Sequence, residues 1–467
     1  MTANLLLLVS DEHRRDAMGC MGHPLVRTPN LDTLAARGTL FANACTPSPM
    51  CVPARAALAC GDHVHRIGHW DSATPYDGSR RSWMHRLRDA GVETTSIGKL
   101  HFRSGEDDNG FAREILPMHV VDGVGWPIGL LREDPPPFAA AAELAADVGA
   151  GESDYTAYDR AITDAAVGWL GAPPPGPWAT MVSFVSPHYP LVAPPDCYAL
   201  YDPAAIDMPV GVLPDHPELR NVAAFYDYAR HFDEDRLRRA KAAYYGLTSF
   251  MDACIGRILA ALEASGQAQA TLVIYVSDHG DMLGDLGFWT KQVMYESSVG
   301  VPMIAAGPGV PAGRRMTTGA SLIDIAPTAL DVAGLSDDPA LPGTSLRRLA
   351  TAPDDPDRTT FSEYHDGGST TATFMVRWDR WKYVAYVGYP PQLFDLVADP
   401  HELVDRAAEP AVRAVLAEGE RRLRAICDPE AVNRRCFADQ RVRIAALGGR
   451  EACLSAQVFN HTPTPTA

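Results

Sequence analysis

No window of the 467-residue chain approaches the roughly eighteen consecutive apolar residues of a membrane span. The opening run, MTANLLLLVSDEHRR, lacks a basic n-region and ends in charge, so it reads as a buried strand and not as a leader. Positive charge is scarce: 41 Lys and Arg face 58 Asp and Glu, a formal net charge of −17. Nucleic acid and anionic membranes want a basic face, and neither is expected as a partner. An anionic substrate must therefore be drawn in by a local cluster of cations. The nine cysteines are odd in number and show no paired spacing. That excludes a disulfide framework and points to a reducing cytoplasm, where the sequon Asn460-His461-Thr462 carries no meaning. Repeats and low-complexity segments are lacking too.

What is present is material for a sizeable core, with 46% hydrophobic residues. Four apolar runs, Asn4–Ser10, Val92–Ile97, Trp178–Val185 and Thr271–Ser277, read as strands buried on both faces. Helical patterns at Thr28–Gly38, Ser82–Ala90 and Arg236–Ser265 lie between them, and the Ala-rich stretch between the proline clusters 135–137 and 173–175 reads as a helix flanked by loops. Alternation of this kind predicts an α/β fold: a mostly parallel sheet flanked by helices. After about Arg358 the texture changes. Thr371–Trp378, Trp381–Val387 and Gln392–Leu396 read as short antiparallel strands, followed by a helix at Glu409–Cys427 and an irregular tail. The expected division is a catalytic α/β domain at 1–357 and a smaller C-terminal α+β subdomain at 358–467.

Each of the four strands runs into chemistry: Asp11-Glu12-His13, Gly98-Lys99-Leu100-His101, Ser186-Pro187-His188, and Asp278-His279-Gly280-Asp281. Open α/β sheets bind ligands at the carboxyl ends of their strands, so one sheet edge receives the whole set. Cys51 belongs to Ser48-Pro49-Met50-Cys51-Val52-Pro53-Ala54-Arg55. Pro53 suits a first helical turn, which puts Cys51 just outside a helix N-terminus with Arg55 nearby. On those grounds alone Cys51 could be a low-pKa thiolate or a buried structural cysteine.

Cys51, Pro53 and Arg55 match C-x-P-x-R, and here the sequence resembles the type I sulfatases of the alkaline phosphatase superfamily. Thr28-Pro29-Asn30-Leu31-Asp32, Gly98-Lys99, Pro187-His188, Asp278-His279-Gly280-Asp281, Tyr295-Glu296 and Phe394-Asp395-Leu396 with Asp399-Pro400-His401-Glu402-Leu403 resemble the family's landmarks in their usual order, from residue 4 to about 405. The resemblance implies an alkaline phosphatase-like fold and conversion of Cys51 to formylglycine, whose hydrated gem-diol attacks sulfur. The covalent sulfate then leaves by elimination. A formylglycine-generating enzyme is the implied maturation partner.

Sulfuryl transfer also needs a hard cation, and hard cations want carboxylates. Asp11 and Asp278, from different strand ends, read as ligands of one divalent metal. The family usually pairs the first Asp with a second and follows the third with Asn; here Glu12 and His279 stand in those places. His279 resembles the choline sulfatase and phosphonate monoester hydrolase branch, while Glu12 matches neither pattern. The expected metal set is Asp11, Glu12, Cys51, Asp278 and His279. Calcium is the family default; manganese or magnesium is the alternative, and an imidazole ligand leans toward manganese. By the same resemblance Arg55 orients the formylglycine hydroxyls. Lys99 and Lys291 grip the sulfate oxygens, His101 takes a proton on elimination, and His188 contacts the sulfate or protonates the leaving oxygen.

The expected activity is hydrolysis of a small aryl or alkyl sulfate monoester. The alternatives are a phosphonate monoester or phosphodiester hydrolase with the same nucleophile, or a catalytically silent, metal-stabilised binding protein. Lys99 and His101 favour the sulfatase, since uncharged residues are expected there in phosphonate hydrolases. Ile67-Gly68-His69-Trp70-Asp71-Ser72 resembles a choline sulfatase segment, with Trp70 and Asp71 as the beginnings of a cage for a quaternary ammonium. In that branch the tail reaches a neighbouring subunit, so a homo-oligomer is expected. His63, His65 and His69 lack a cysteine at ligand spacing and are expected to line or flank the pocket rather than bind zinc. The acidic loop Gly105–Asp108 reads as solvated. Cys45 and Cys60 flank the motif, with Cys60 where threonine is usual.

Overall fold

The computed structural model describes residues 3–456 and 461–465, so Asn460 of the sequon lies outside the described residues. Strand β1 (Asn4–Asp11) sits at the centre of an eight-stranded sheet. The other strands are β2 (Thr39–Phe41), β3 (Glu93–Lys99), β4 (Arg113–Met118), β5 (Trp178–Pro187), β6 (Thr271–Ser277), β7 (Met303–Ala306) and β8 (Arg314–Met316). Their spatial order is β8-β2-β7-β6-β1-β5-β3-β4. All neighbours are parallel except β7, which runs antiparallel to both β6 and β2. Strands β2, β4, β7 and β8, of which β8 and β4 form the two edges, are short, carry no long apolar run and are not legible in the sequence.

Period-two alternation explains why β1 is apolar throughout. Leu5, Leu7 and Val9 face one core, while Leu6 and Leu8 face the other. The first core receives α2 (Cys51–Cys60), α3 (Trp83–Asp89) and α6 (Ile325–Val332); the second receives α1 (Pro29–Arg37), α4 (Asp154–Gly171) and the 31-residue α5 (Glu234–Ala264). Capping sets several of these starts. Ser82 accepts from the His85 amide ahead of α3, Ser153 from Thr156 ahead of α4, and Asp233 from Arg236 ahead of α5. The Ser153 cap places the helix of the Ala-rich region downstream of the alanines themselves, which form only short turns at 139–146.

At the C-terminus β9 (Thr360–Tyr364), β10 (Thr373–Trp378), β11 (Trp381–Tyr386) and β12 (Gln392–Asp395) form an antiparallel meander covered by α7 (Arg413–Ile426). Phe361, Phe374, Val376 and Leu423 share one core with Ala57, Leu58 and Trp70. The tail is not irregular. Asp428 caps α8 (Pro429–Ala446) by accepting from Ala431, Pro429 occupies its first turn, and α9 (Arg450–Ser455) follows. Only Pro429, Val432, Cys436 and Gln440 of α8 are buried, so the helix shows no apolar stripe to betray it.

Candidate active site

The carboxyl ends of β1, β3, β5 and β6 converge on the N-terminus of α2. Strand β1 continues to Asp11, which is fully buried; its Oδ2 lies 2.5 Å from Lys99 Nζ and 3.3 Å from an Arg55 guanidinium nitrogen. Arg55 also donates to Asp278 Oδ2 (2.7 Å), the Lys99 carbonyl (2.9 Å) and Ser183 Oγ (2.8 Å). Its planar fork thus ties four strands together, as an ammonium could not. Asp278 Oδ1 accepts from the amides of Glu12 and His279.

Three acceptors face one another, two of them without a donor. His279 Nδ1 can only donate to the Gly280 carbonyl (3.0 Å), so its Nε2 carries a lone pair, 3.7 Å from both Asp11 Oδ1 and Asp278 Oδ1. His279 Nε2 and Asp11 Oδ1 are buried without a hydrogen-bond partner. Unpaired acceptors in a buried site are costly, and a bound cation satisfies them. The donor set of Asp11, Asp278 and His279 fits a divalent metal. A second triad shares Asp11 with Glu12 and His188. Glu12 Oε2 accepts from Lys291 Nζ (3.0 Å) and lies 3.2 Å from His188 Nε2, while Oε1 has no partner.

Above this floor Cys51, Lys99, His101, His188 and Lys291 line one pocket. His188 donates from Nδ1 to the Tyr189 carbonyl (2.7 Å), so Nε2 receives Lys291 Nζ (2.9 Å). Burial, reinforced by Lys99 and Arg55, holds His101 well below the usual imidazole range, and neither ring nitrogen has a partner. The backbone at His101 is left-handed (φ 53°), so the segment is not extended as the spacing suggested; the side chain reaches the pocket through that turn. Asp159 accepts from the amides of Val185 and Ser186 (2.8 Å each) and so shapes the strand end that carries His188.

Cys51 departs from the thiolate reading. It is the first residue of α2 and not outside it. Burial, then Asp11, push its thiol up to about 11, so the encoded side chain is protonated at neutral pH. Other expectations are corrected as well. His63, His65 and His69 do not line the pocket: His63 stacks on His65, His65 and His365 flank Glu363 (2.9 Å each), and His69 donates to the Thr74 carbonyl. Trp70 and Asp71 do not form a cage, because Trp70 donates to Asp439 and Asp71 accepts from Gln440, both on α8. In the acidic loop Asp107 and Asp108 pair with Arg103 and Arg88.

The aromatic wall of the pocket was not legible in the sequence. Trp126, Phe138, Tyr155, Tyr189, Tyr226 and Tyr228 come from separate elements, and none stands in a motif. No carboxylate lines the pocket among the described residues. The chain's own tail contributes His461, whose ring is 5.1 Å from that of Tyr155, and the Thr462 carbonyl, which accepts from Tyr155 Oη (2.6 Å). No described helix is long and apolar enough to cross a membrane, and all nine cysteines are free.

Comparison with known proteins agrees with this geometry. The sulfatase family model matches residues 3–335, and a model for the C-terminal part of N-sulphoglucosamine sulphohydrolase matches residues 284–428. The chain is 32% identical to the choline-sulfatase of Rhizobium meliloti (strain 1021), across 87% of this chain and 83% of that one. It is 30% identical to arylsulfatase K of Danio rerio, across 92% and 85% respectively. The crystal structure of a phosphonate monoester hydrolase of Agrobacterium radiobacter superposes with a TM-score of 0.75 at 25% identity, covering 91% of this chain and 95% of that one. The chain thus belongs to the type I branch of the sulfatase family, has its alkaline phosphatase-like α/β fold, and is a sulfuric ester hydrolase.

Proposed function

We propose that the chain hydrolyses a small sulfate monoester with a formylglycine derived from Cys51 and one divalent cation held by Asp11, Asp278 and His279, with Glu12 Oε1 as a further donor. The observation that carries the reading is the gathering of Lys99, His101, His188 and Lys291 around residue 51, directly above unpaired buried acceptors. The modified side chain would supply a hydrated aldehyde as oxygen nucleophile, and the cation would polarise the ester. Lys99 and Lys291 provide the local positive charge that the acidic chain lacks and meet the sulfate oxygens as charge develops on them. Arg55 holds Asp11 and Asp278 in register. His188, hydrogen-bonded to Lys291, stands where a proton can pass to the departing oxygen. His101, kept neutral by burial and by its cationic neighbours, is fit to accept a proton from residue 51.

The aromatic wall suits a compact alcohol: an aryl group, or a quaternary ammonium like that named for the Rhizobium relative. Donor chemistry of two carboxylates and an imidazole suits manganese as well as calcium, and metal analysis of the purified protein distinguishes them. A homo-oligomer, a formylglycine-generating partner, a cytoplasmic site of action and a subdomain division near residue 358 belong to the same proposal. The structural neighbour keeps a phosphonate monoester hydrolase as the second reading.

The test is mass spectrometry of the alkylated tryptic peptide Gly38–Arg55 from protein made with a formylglycine-generating enzyme. Cys45 in the same peptide is the internal control. Aldehyde at 51 with alkylated thiol at 45 is expected, together with faster turnover of 4-nitrophenyl sulfate than of an aryl phosphonate. Two alkylated thiols would move the silent binding protein ahead, and a clear phosphonate preference would overturn the sulfatase reading.

A further inference from the structure

Lys291 sits in a backbone that does not hold itself. Its neighbours Thr290 (φ 62°) and Gln292 (φ 81°) are both left-handed without being glycine, a conformation that persists only where the surroundings impose it. Upstream, Asp281 Oδ1 accepts from the Thr290 amide, and the Gln292 amide donates to the Pro49 carbonyl. Downstream the restraint comes from the C-terminal meander. Lys382 on β11, whose side chain is fully buried, donates to the Met294 carbonyl (2.7 Å) and lies 2.8 Å from Glu296 Oε1 and 2.7 Å from Glu402 Oε1. Glu402 Oε2 accepts from the Glu296 amide (2.6 Å). Arg377, the cross-strand partner of Lys382, donates to Glu296 Oε2 (2.9 Å), and Arg15 from the loop after Asp11 and Glu12 reaches the same oxygen.

We propose that Lys382 is a positioning residue: it fixes the 290–296 loop so that the Lys291 ammonium stands between Glu12 and His188. The proposal rests on the reading of Lys291 as a sulfate-gripping cation. Stability alone does not account for the network, because a buried ion cluster is commonly no more stabilising than apolar residues of the same volume. What such a cluster does enforce is one arrangement of the elements it joins. Here it joins the loop of Asp11, the loop of Lys291 and the small sheet, so the C-terminal subdomain serves the active site and does not merely pack beside it.

The test is a double-mutant cycle on matured protein, with kcat and KM for 4-nitrophenyl sulfate, formylglycine content by mass spectrometry and melting temperature for each variant. Lys382→Met is expected to lower kcat about 10- to 100-fold with KM changed less than about threefold, since a displaced catalytic group costs on that order. In a Lys291→Ala background the same substitution is expected to change kcat less than about threefold, because the group it positions is gone. An equal loss in both backgrounds would overturn the proposal and make Lys382 a structural residue. Should Lys291→Ala itself leave kcat/KM unchanged, the sulfate-gripping reading fails, and the positioning proposal with it. If Lys382→Met does not fold, Glu402→Gln weakens the grip on Lys382 while keeping its shape. A loss of about three- to tenfold that vanishes in the Lys291→Ala background is then expected, and a loss that persists there refutes the proposal.

Discussion

Replacing Lys99 by methionine removes one ammonium and little volume from the floor of the pocket. That ammonium is buried 2.5 Å from Asp11 Oδ2, its one ion-pair partner among the described residues, so it can turn to a sulfate oxygen. Withdrawing one preorganised donor from a developing anion costs about 2.7–4 kcal/mol, or roughly 100- to 1,000-fold in kcat. Asp11 keeps its contact with Arg55 at 3.3 Å, so the stability loss should stay near the 1–3 kcal/mol of a lost charged hydrogen bond. Steady-state kinetics on 4-nitrophenyl sulfate, normalised to formylglycine content and paired with a melting curve, separates the two effects. Metal content should not fall, because losing Lys99 leaves Asp11 Oδ1 as available as before. A kcat/KM within about threefold of the wild type would refute the reasoning and reduce Lys99 to a counter-ion of Asp11. A loss of metal in parallel with activity would refute it as well.

His279→Ala should lower the bound divalent metal per chain, read by elemental analysis after gel filtration, by the 10- to 100-fold in affinity typical of disturbed metal sites. Trp126→Ala opens the aromatic wall, and kcat/KM should fall mainly through KM; an unchanged KM would exclude Trp126 from the substrate's path. Glu363, although burial would raise it, is held below the usual carboxylate range by His65 and His365. Its stabilisation is therefore present above about pH 4 and lost as pH falls through its lowered folded-state value. Glu363→Gln should lower the melting temperature at pH 7, and the gap to the wild type should narrow as pH falls below about 4.

The chain itself determined the central strands, the order of the chemistry at their ends and the family. Burial on both faces makes β1, β5 and β6 largely apolar, so they announce themselves, and charged or nucleophilic residues stand out where each run stops, whereas β3 is buried with Thr94, Thr95 and Ser96 in it and is marked mainly by Lys99 at its end. Ten candidate site residues from Asp11 to Lys291 could be named because each sits beside such a stop or within a motif. The tail helix α8 buries too few apolar residues to show a period, so Trp70 and Asp71, which it ties down, read in the sequence alone as substrate contacts. Tertiary structure alone assembled the aromatic wall, since six rings scattered over a hundred residues share no spacing. It alone also showed which carboxylate oxygens lack a donor and which nitrogen of His279 carries a lone pair. Those facts depend on distances between atoms far apart in the chain, and no local pattern records them.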